Sequence, residues 1–315
     1  MIPGTPWRLE TMSVPSLMDK RGWRRIMAVG KVLRMILEAR KFLKREKPDL
    51  VVGMGGYSSG PMVLMAGLMG IPTVIHEQNA QPGMTNRLLT PFAKKIFTAF
   101  SETERNFPKK KTQVIGTPVR KSLLQEARAV EREERFVVLI LGGSQGSQFL
   151  NECLLGSLPA LSEKKDQLHI VHQVGASADA PAIEKQYRTA GFDAEVHPFI
   201  HNMGFHYGRA RLVIARAGAT TIAELQAVGR PALFVPYPHS AQGHQIKNAE
   251  SMVRLGVARM CEQKDLSPEK MAEEILWALQ NREALAEMEN KYRNIVQTPA
   301  SQVMATECLR MVKGV

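Results

Sequence analysis

Phe136-Val137-Val138-Leu139-Ile140-Leu141-Gly142-Gly143-Ser144-Gln145-Gly146-Ser147 runs from six apolar residues into three glycines within five positions, and a helical stretch from Phe149 to Leu158 follows. A continuous apolar run bounded by glycine marks a strand covered on both faces, as in parallel sheets. Glycines let a backbone approach a ligand closely, and the free N–H groups at the start of a helix attract phosphate. The spacing is not G-x-G-x-x-G. Nor does an acidic residue close the next strand at Gln173-Val174-Gly175-Ala176, where a dinucleotide site would hold its ribose. The expectation is a phosphate-bearing ligand other than a nicotinamide or flavin dinucleotide. A plain strand-to-helix turn is the alternative.

The alternation extends both ways along the chain. Leu50–Met54, Thr73–His76, Lys95–Phe100 and Thr112–Ile115 read as strands before it. His169–Val174, Ala194–Ile200, Leu212–Ala215 and Ala232–Val235 follow, and helical signals dominate from Pro268 onward. Two such series in 315 residues predict two α/β domains with parallel sheets, at residues 1–130 and 131–315, the C-terminal helix returning to the first. The charged stretch Lys121 to Arg135 reads as the connection. A long helix from Trp23 to Lys47 places Ile26, Val29, Leu33, Ile36, Leu37 and Leu43 on one face. Arg24, Lys31, Arg34, Lys41 and Arg45 fall mostly on the other. It either packs on the sheet with a solvated basic face or rests that face on anionic lipid.

Charge is uneven. Residues 1–135 carry 24 Lys and Arg against 12 Asp and Glu, whereas residues 136–315 carry 18 of each. A basic half suggests an anionic partner: lipid headgroups, a phosphate-bearing substrate or nucleic acid. Aromatic residues make up only 6%, and no nucleic-acid motif accompanies the charge, so nucleic acid is not expected. Cys153, Cys261 and Cys308 are far apart, which argues against a disulfide framework or a paired-cysteine metal site. The most apolar stretch, Pro61 to Pro72, is about half of the ~20 residues a membrane span needs. No signal peptide is read at the N-terminus, and a reducing, cytoplasmic setting is expected.

Other strand ends carry polar groups as well. Arg216-Ala217-Gly218-Ala219-Thr220-Thr221-Ile222-Ala223-Glu224 again passes from strand through glycine to helix. Thr221 and Glu224, three apart, fit a capping box. Alternatively the helix start binds phosphate while the Glu224 carboxylate accepts two sugar hydroxyls. Pro236 to Ala249 adds His239, His244, Gln245 and Asn248 after the next strand. In the first half, Gly53 to Pro61 and His76-Glu77-Gln78-Asn79-Ala80-Gln81-Pro82-Gly83 also follow strands. Two sheets whose strand ends look at each other across a cleft make the GT-B arrangement of nucleotide-sugar enzymes, and that is the fold class expected.

Together these segments resemble the MurG family of peptidoglycan N-acetylglucosaminyltransferases. The carriers are the Gly-Met-Gly-Gly-Tyr turn at 53–57, His-Glu-Gln-Asn at 76–79, Gly-x-Pro-Val-Arg at 116–120, Gly-Gly-Ser-Gln-Gly at 142–146, the 218–224 segment and Asn248-Ala249. The similarity covers the chain from about Lys47 onward. It implies an inverting transfer of GlcNAc from UDP-GlcNAc to lipid I, undecaprenyl-diphospho-MurNAc-pentapeptide, at the cytoplasmic face of the membrane, with no metal or cofactor required. Carried over by position, donor contacts fall to Asn79, Arg120, Ser144, Gln145, Ile200, Ala219, Thr220, Thr221, Ile222, Ala223, Glu224, His244 and Gln245. Ile200 would border the uracil, Glu224 would hold the ribose, and Ser144 with Gln145 the diphosphate. Tyr57, His76 and Asn151 would line the cleft, Tyr57 and Asn151 on its acceptor side.

Two departures stand out. The family has Gln where His244 stands, and its N-terminal Gly-Gly-Thr-Gly-Gly-His loop, with a general-base histidine, has no match in residues 1–47. The first domain is therefore expected to be N-terminally incomplete. His76 becomes the candidate base, with support of its loop as the more ordinary role. A UDP-sugar epimerase of the same fold and a catalytically impaired UDP-sugar-binding remnant are the rival readings.

Overall fold

The computed structural model describes residues 8–11, 23–143, 145–295 and 299–313, and within the first helix it describes side chains from Arg34 on. The described helices are α1 (Trp23–Glu46), α2 (Gly60–Leu68), α3 (Met84–Leu89), α4 (Ser101–Glu104), α5 (Lys121–Arg128), α6 (Gln148–Leu161) and α7 (Ala180–Thr189), then α8 (Met203–Arg209), α9 (Ala219–Val228), α10 (His244–Arg254), α11 (Pro268–Gln280), α12 (Arg282–Ile295) and α13 (Ala300–Lys313). The strands are β1 (Val51–Gly53), β2 (Thr73–Glu77), β3 (Lys95–Thr98), β4 (Thr112–Val114), β5 (Phe136–Leu141), β6 (Leu168–Gln173), β7 (Ala194–His197), β8 (Leu212–Ala215), β9 (Ala232–Phe234) and β10 (Ala258–Met260). The chain divides into two compact units: residues up to 78 with 82–115 and 303 onward, and residues 79–81 with 116–302.

The first unit holds a parallel sheet in the order β1-β2-β3-β4. β2 is buried along its whole length, as its uninterrupted Thr-Val-Ile-His run requires. Val63 of α2 packs on Ile75 and Ile96, while Met65 and Ala66 of the same helix pack on Ala39 and Leu43 of α1. The buried stripe of α1 is thus Met35, Ala39 and Leu43, spaced by four. Leu37, expected on that face, is exposed, and Ile26, Val29, Leu33, Arg24 and Lys31 lie outside the described side chains. Most of α13, from Val303 on, belongs to this unit, where Glu307 pairs with Lys95 at 3.3 Å.

The second unit holds six parallel strands in the order β10-β9-β8-β5-β6-β7. This is the doubly wound arrangement, with chain direction across the sheet reversing between β5 and β8. Val138, Ile140, Ile170 and Ile214 pack against Leu154 and Leu158 of α6 and Met271 and Ile275 of α11. The strand ends lie in one row, since Leu141 pairs with Gln173 and with Ala215, Gln173 with His197, and Ala215 with Phe234. Every loop that leaves this row starts at the same level, and a ligand crevice forms at the reversal point of such a sheet.

The stretch at 121–135 is not a bare connection. Its first eight residues are α5, which belongs to the second unit, so the boundary falls after residue 115 instead of at 130. Close approach of α5 and α8 explains this. A Cβ on Gly204 would collide with the Leu123 carbonyl oxygen and lie 2.7 Å from the Glu126 Cβ, and one on Gly208 would lie 2.7 Å from the Ala127 carbonyl oxygen. Alanine at position 204 would gain ~1 kcal/mol of helix propensity. Overpacking against a rigid backbone costs ~1–3 kcal/mol, and the clash with a carbonyl oxygen puts this site at the upper end. Gly204→Ala is therefore expected to destabilise the protein by ~1–2 kcal/mol net, read as a lowered urea midpoint with unchanged slope.

Candidate active site

The turn after β5 is built by exclusion of side chains. Gly143 and Gly146 have φ of +89° and +78°, and Gly175, at the end of the neighbouring strand, +98°. A Cβ on Gly146 would strike the Val174 carbonyl oxygen, and one on Gly175 would lie 2.6 Å from the Gly146 Cα. The two glycine backbones are in contact, leaving the turn open on its other side. Ser144 lies outside the described residues, and Gln145 is exposed. Ser147 caps α6, its Oγ accepting from the Leu150 N–H at 3.4 Å and from Arg216 Nη2 at 2.8 Å.

A buried polar chain supports this turn from behind. Asn151 Nδ2 donates to the Val174 carbonyl at 3.1 Å, Asn151 Oδ1 lies 3.0 Å from His172 Nε2, and His172 Nδ1 lies 2.9 Å from the Tyr187 hydroxyl. Of the two neutral tautomers only Nε2–H satisfies both contacts, with Tyr187 donating. Burial holds the His172 pKa down at about 3. Asn151, expected on the acceptor side, has both ends of its amide engaged inside the second unit and is 6% exposed. Gln173 braces the front: its Nε2 donates to the Gly143 carbonyl at 3.0 Å and its Oε1 accepts from the Ile200 N–H at 3.1 Å. The backbone N–H of Ile200 is thus taken.

At the end of β8 the capping-box reading fails. The N-cap of α9 is Gly218, with no side-chain cap, so Thr221 and Glu224 both lie inside the helix. The start of α9 is open to an anion, and the Glu224 Oε2 accepts from the Tyr207 hydroxyl at 3.1 Å. Burial raises the Glu224 pKa, while the Tyr207 hydrogen bond and the nearby charge of Arg120 act to lower it. Ala219 and Thr220 form the first turn, with Ile222 and Ala223 buried behind them. Arg216, not singled out by sequence reasoning, is buried where β8 ends. Its guanidinium donates to the carbonyls of Val235 and Pro236 at 3.1 and 3.4 Å, besides Ser147. Burial lowers its pKa, and no carboxylate contributes to that balance. The signal was an arginine directly after an apolar strand.

Asn248, in α10, is fully buried and gathers three segments. Its Oδ1 accepts from the Ala80 N–H at 2.8 Å, and its Nδ2 donates to Asn79 Oδ1 and to the Ala217 carbonyl, both at 3.2 Å. Asn79 therefore joins the second unit's site. Gln245 is spent on its own loop, its Oε1 accepting from the Tyr237 N–H at 2.9 Å. His244 opens α10 after Gly243, whose φ is +67°.

In the first unit, Tyr57 is 56% exposed on the turn of Gly55 and Gly56. His76 has no exposed surface in β2. That burial fits the supporting role expected of it better than the catalytic one. The neighbouring Glu77 Oε2 accepts from the Gly83 N–H at 3.0 Å and Asn86 Nδ2 at 2.8 Å, and Gln78 Nε2 donates to the Met54 carbonyl at 2.8 Å. The His-Glu-Gln-Asn segment shapes a loop.

Two parallel-sheet units, one with a glycine-walled helix start, an open second helix start and a half-buried carboxylate at the reversal point, define a glycosyltransferase of the GT-B class. Comparison with known proteins agrees. Residues 137–303 match the glycosyltransferase family 28 C-terminal domain, and residues 4–98 match the glycosyltransferase family 28 N-terminal domain. A protein of Citrifermentans bemidjiense, named UDP-N-acetylglucosamine--N-acetylmuramyl-(pentapeptide) pyrophosphoryl-undecaprenol N-acetylglucosamine transferase, is 41% identical over 97% of this chain and 86% of its own. One of the same name from Myxococcus xanthus is 39% identical over 99% of this chain and 82% of its own. The crystal structure of Acinetobacter baumannii MurG is 34% identical with a TM-score of 0.74, covering 95% of this chain and 84% of that one. The chain belongs to the MurG family, within glycosyltransferase family 28. The similarity expected from about Lys47 begins at residue 4, so the first helix is part of it. A UDP-GlcNAc 2-epimerase from Neisseria meningitidis, 16% identical with a TM-score of 0.62 over 93% of this chain and 83% of its own, shares the fold alone.

The His172 chain gives a pH signature. The folded pKa, about 3, lies below the ordinary 6.5, so the unfolded chain takes the proton first. Stability from this group is complete above 6.5 and is lost as pH falls towards 3, at ~1.4 kcal/mol per pH unit. Urea titrations of wild type and His172→Gln across that window should differ by this slope.

Proposed function

We propose that this protein transfers N-acetylglucosamine from UDP-N-acetylglucosamine to the MurNAc 4-hydroxyl of undecaprenyl-diphospho-MurNAc-pentapeptide. The observation that carries this reading is the meeting of two helix starts, α6 and α9, on one row of strand ends beside the Glu224 carboxylate. The acceptor hydroxyl attacks the anomeric carbon, its proton passes to a base, and the bond from that carbon to the UDP oxygen breaks with inversion. The leaving diphosphate takes on negative charge. Backbone N–H groups at the starts of α6 and α9 meet it, with the guanidinium of Arg216 next to them. Glu224 accepts the two ribose hydroxyls, and the Ile200 carbonyl faces the uracil. Asn79, Arg120 and His244 contact the donor, and Tyr57 serves the acceptor side.

The acceptor is a membrane lipid. No helix among the described residues is long and apolar enough to cross a membrane. The basic residues of the first half support peripheral attraction to anionic headgroups, in keeping with an enzyme that works at the cytoplasmic face.

Glu224→Ala should weaken UDP-GlcNAc binding by ~1.5–3 kcal/mol, as expected for loss of charge-assisted hydrogen bonds. The thermal midpoint should fall only modestly, because the residue caps nothing but the buried Tyr207 hydroxyl loses its acceptor. Calorimetry and melting read the two separately, and turnover with a soluble lipid I analogue should fall in parallel. In sedimentation, the protein should bind vesicles containing phosphatidylglycerol and release from them as salt rises, while phosphatidylcholine vesicles leave it in solution.

A further inference from the structure

The edge strand β7 and the helix α8 carry a cluster that the transfer reaction does not use. Glu195 and His197 lie two apart in β7 and so share a face of the sheet. His206 of α8 reaches the same spot. The carboxylate, Nε2 of His197 and Nδ1 of His206 supply three donor atoms, all within 4.8 Å of one another.

The roles of the two carboxylate oxygens are divided. Oε1 is held by Arg209 Nη1 at 2.7 Å and lies 3.0 Å from His169 Nε2, and Arg209 is itself bonded to Glu133 at 2.6 Å. Oε2 faces the two imidazoles, 3.5 Å from His197 Nε2 and 3.9 Å from His206 Nδ1. The second distance is too long for a hydrogen bond. His206 is 4% exposed, and its buried Nδ1 has no hydrogen-bond partner. Buried nitrogens are rarely left so. This one points into a space that two further ligand atoms share.

We propose that Glu195, His197 and His206 form a binding site for a divalent zinc-type cation. Two imidazoles and one carboxylate are a zinc ligand set, leaving a fourth position for water. Bonds of about 2.0–2.1 Å to nitrogen and oxygen place tetrahedral ligands ~3.3–3.4 Å apart. The observed spacings therefore need to contract, by ~0.5 Å between Glu195 and His206 and by up to ~1.4 Å for the widest pair. His197, a third exposed at the sheet edge, has the freedom to supply its part, and the rest falls to the Glu195 carboxylate turning toward His206. Arg209 and His169 act as the outer partners that fix the carboxylate, the usual arrangement around a metal ligand. The neighbouring guanidinium also opposes a cation. The site is therefore expected to be structural and of moderate affinity. Its effect would be local: the ion ties the end of β7 to α8 across residues 198–202, the segment that carries Ile200.

The test uses the untagged full-length protein, stripped with a chelator and titrated with Co2+ and then Zn2+. The expected result is one Co2+ per chain, with the strong visible absorption of a tetrahedral nitrogen–oxygen site. Zn2+ should displace it, and the melting temperature should rise when Zn2+ is bound. His197→Ala, at the exposed edge, should fold normally and lose at least ~10-fold in Zn2+ affinity, since even outer partners of metal sites cost that much. His206→Ala and Glu195→Gln should lose at least as much, with circular dichroism confirming their fold. Equal Zn2+ affinity in wild type and His197→Ala would overturn the proposal. So would the near-ultraviolet charge-transfer band of a cobalt–thiolate bond, which would locate the ion at a cysteine.

Discussion

Two glycine backbones in contact, Gly146 against Gly175, are the constraint on which the second unit's site depends. No side chain fits at either position, and both require a positive φ. The turn after β5 can therefore lie flat against the end of β6 and present the start of α6 to the crevice. Everything around it maintains that contact. The Asn151–His172–Tyr187 chain holds the Val174 carbonyl from behind, and Gln173 ties the Gly143 carbonyl to the Ile200 backbone in front. A half-satisfied buried network would cost more than an apolar core, so a fully paired one makes the position rigid.

Charge in the site follows the same economy. Arg216 is buried against carbonyl oxygens and a serine hydroxyl, with no carboxylate beside it among the described residues. It therefore keeps its positive field for whatever anion occupies the helix starts, whereas a paired arginine would spend it internally. Glu224 is poised the opposite way. Partial burial raises its pKa, and one oxygen is already occupied by Tyr207, so its remaining acceptor capacity points to neutral donors such as hydroxyl groups.

The sheets were legible because each of nine strands is an apolar, β-branched or alternating run between turn residues. β10 was not, since Ala258-Arg259-Met260 is only three residues long, has no β-branched residue, and becomes a strand by pairing with β9. The glycine turn and Glu224 could be read from residue type. Spacing misled at Thr221 and Glu224, where the cap is set by the backbone of Gly218, one turn earlier than the pattern implied. His76 and Asn151 show the limit of arguing from strand and helix ends: both carry functional-looking groups, yet both point inward, a matter of side-chain direction that chain order does not encode. The reach of Asn248 to Ala80, 168 residues away in sequence, is long-range pairing and leaves no local mark.

That last hydrogen bond has a consequence for how the protein is made. The second unit is assembled from two stretches of chain, and the earlier one is only Asn79, Ala80 and Gln81. During synthesis these three residues emerge long before α10 exists, and they must wait for their partner. Closing a loop of 168 residues costs ~4–5 kcal/mol of chain entropy if the intervening chain is unstructured, and far less once β5 to β9 have folded and carry α10 into position. Asn248 thus acts as a latch set last: its buried amide is satisfied only when the early segment and the late helix have both arrived, which makes completion of the donor unit conditional on the first half of the chain being present.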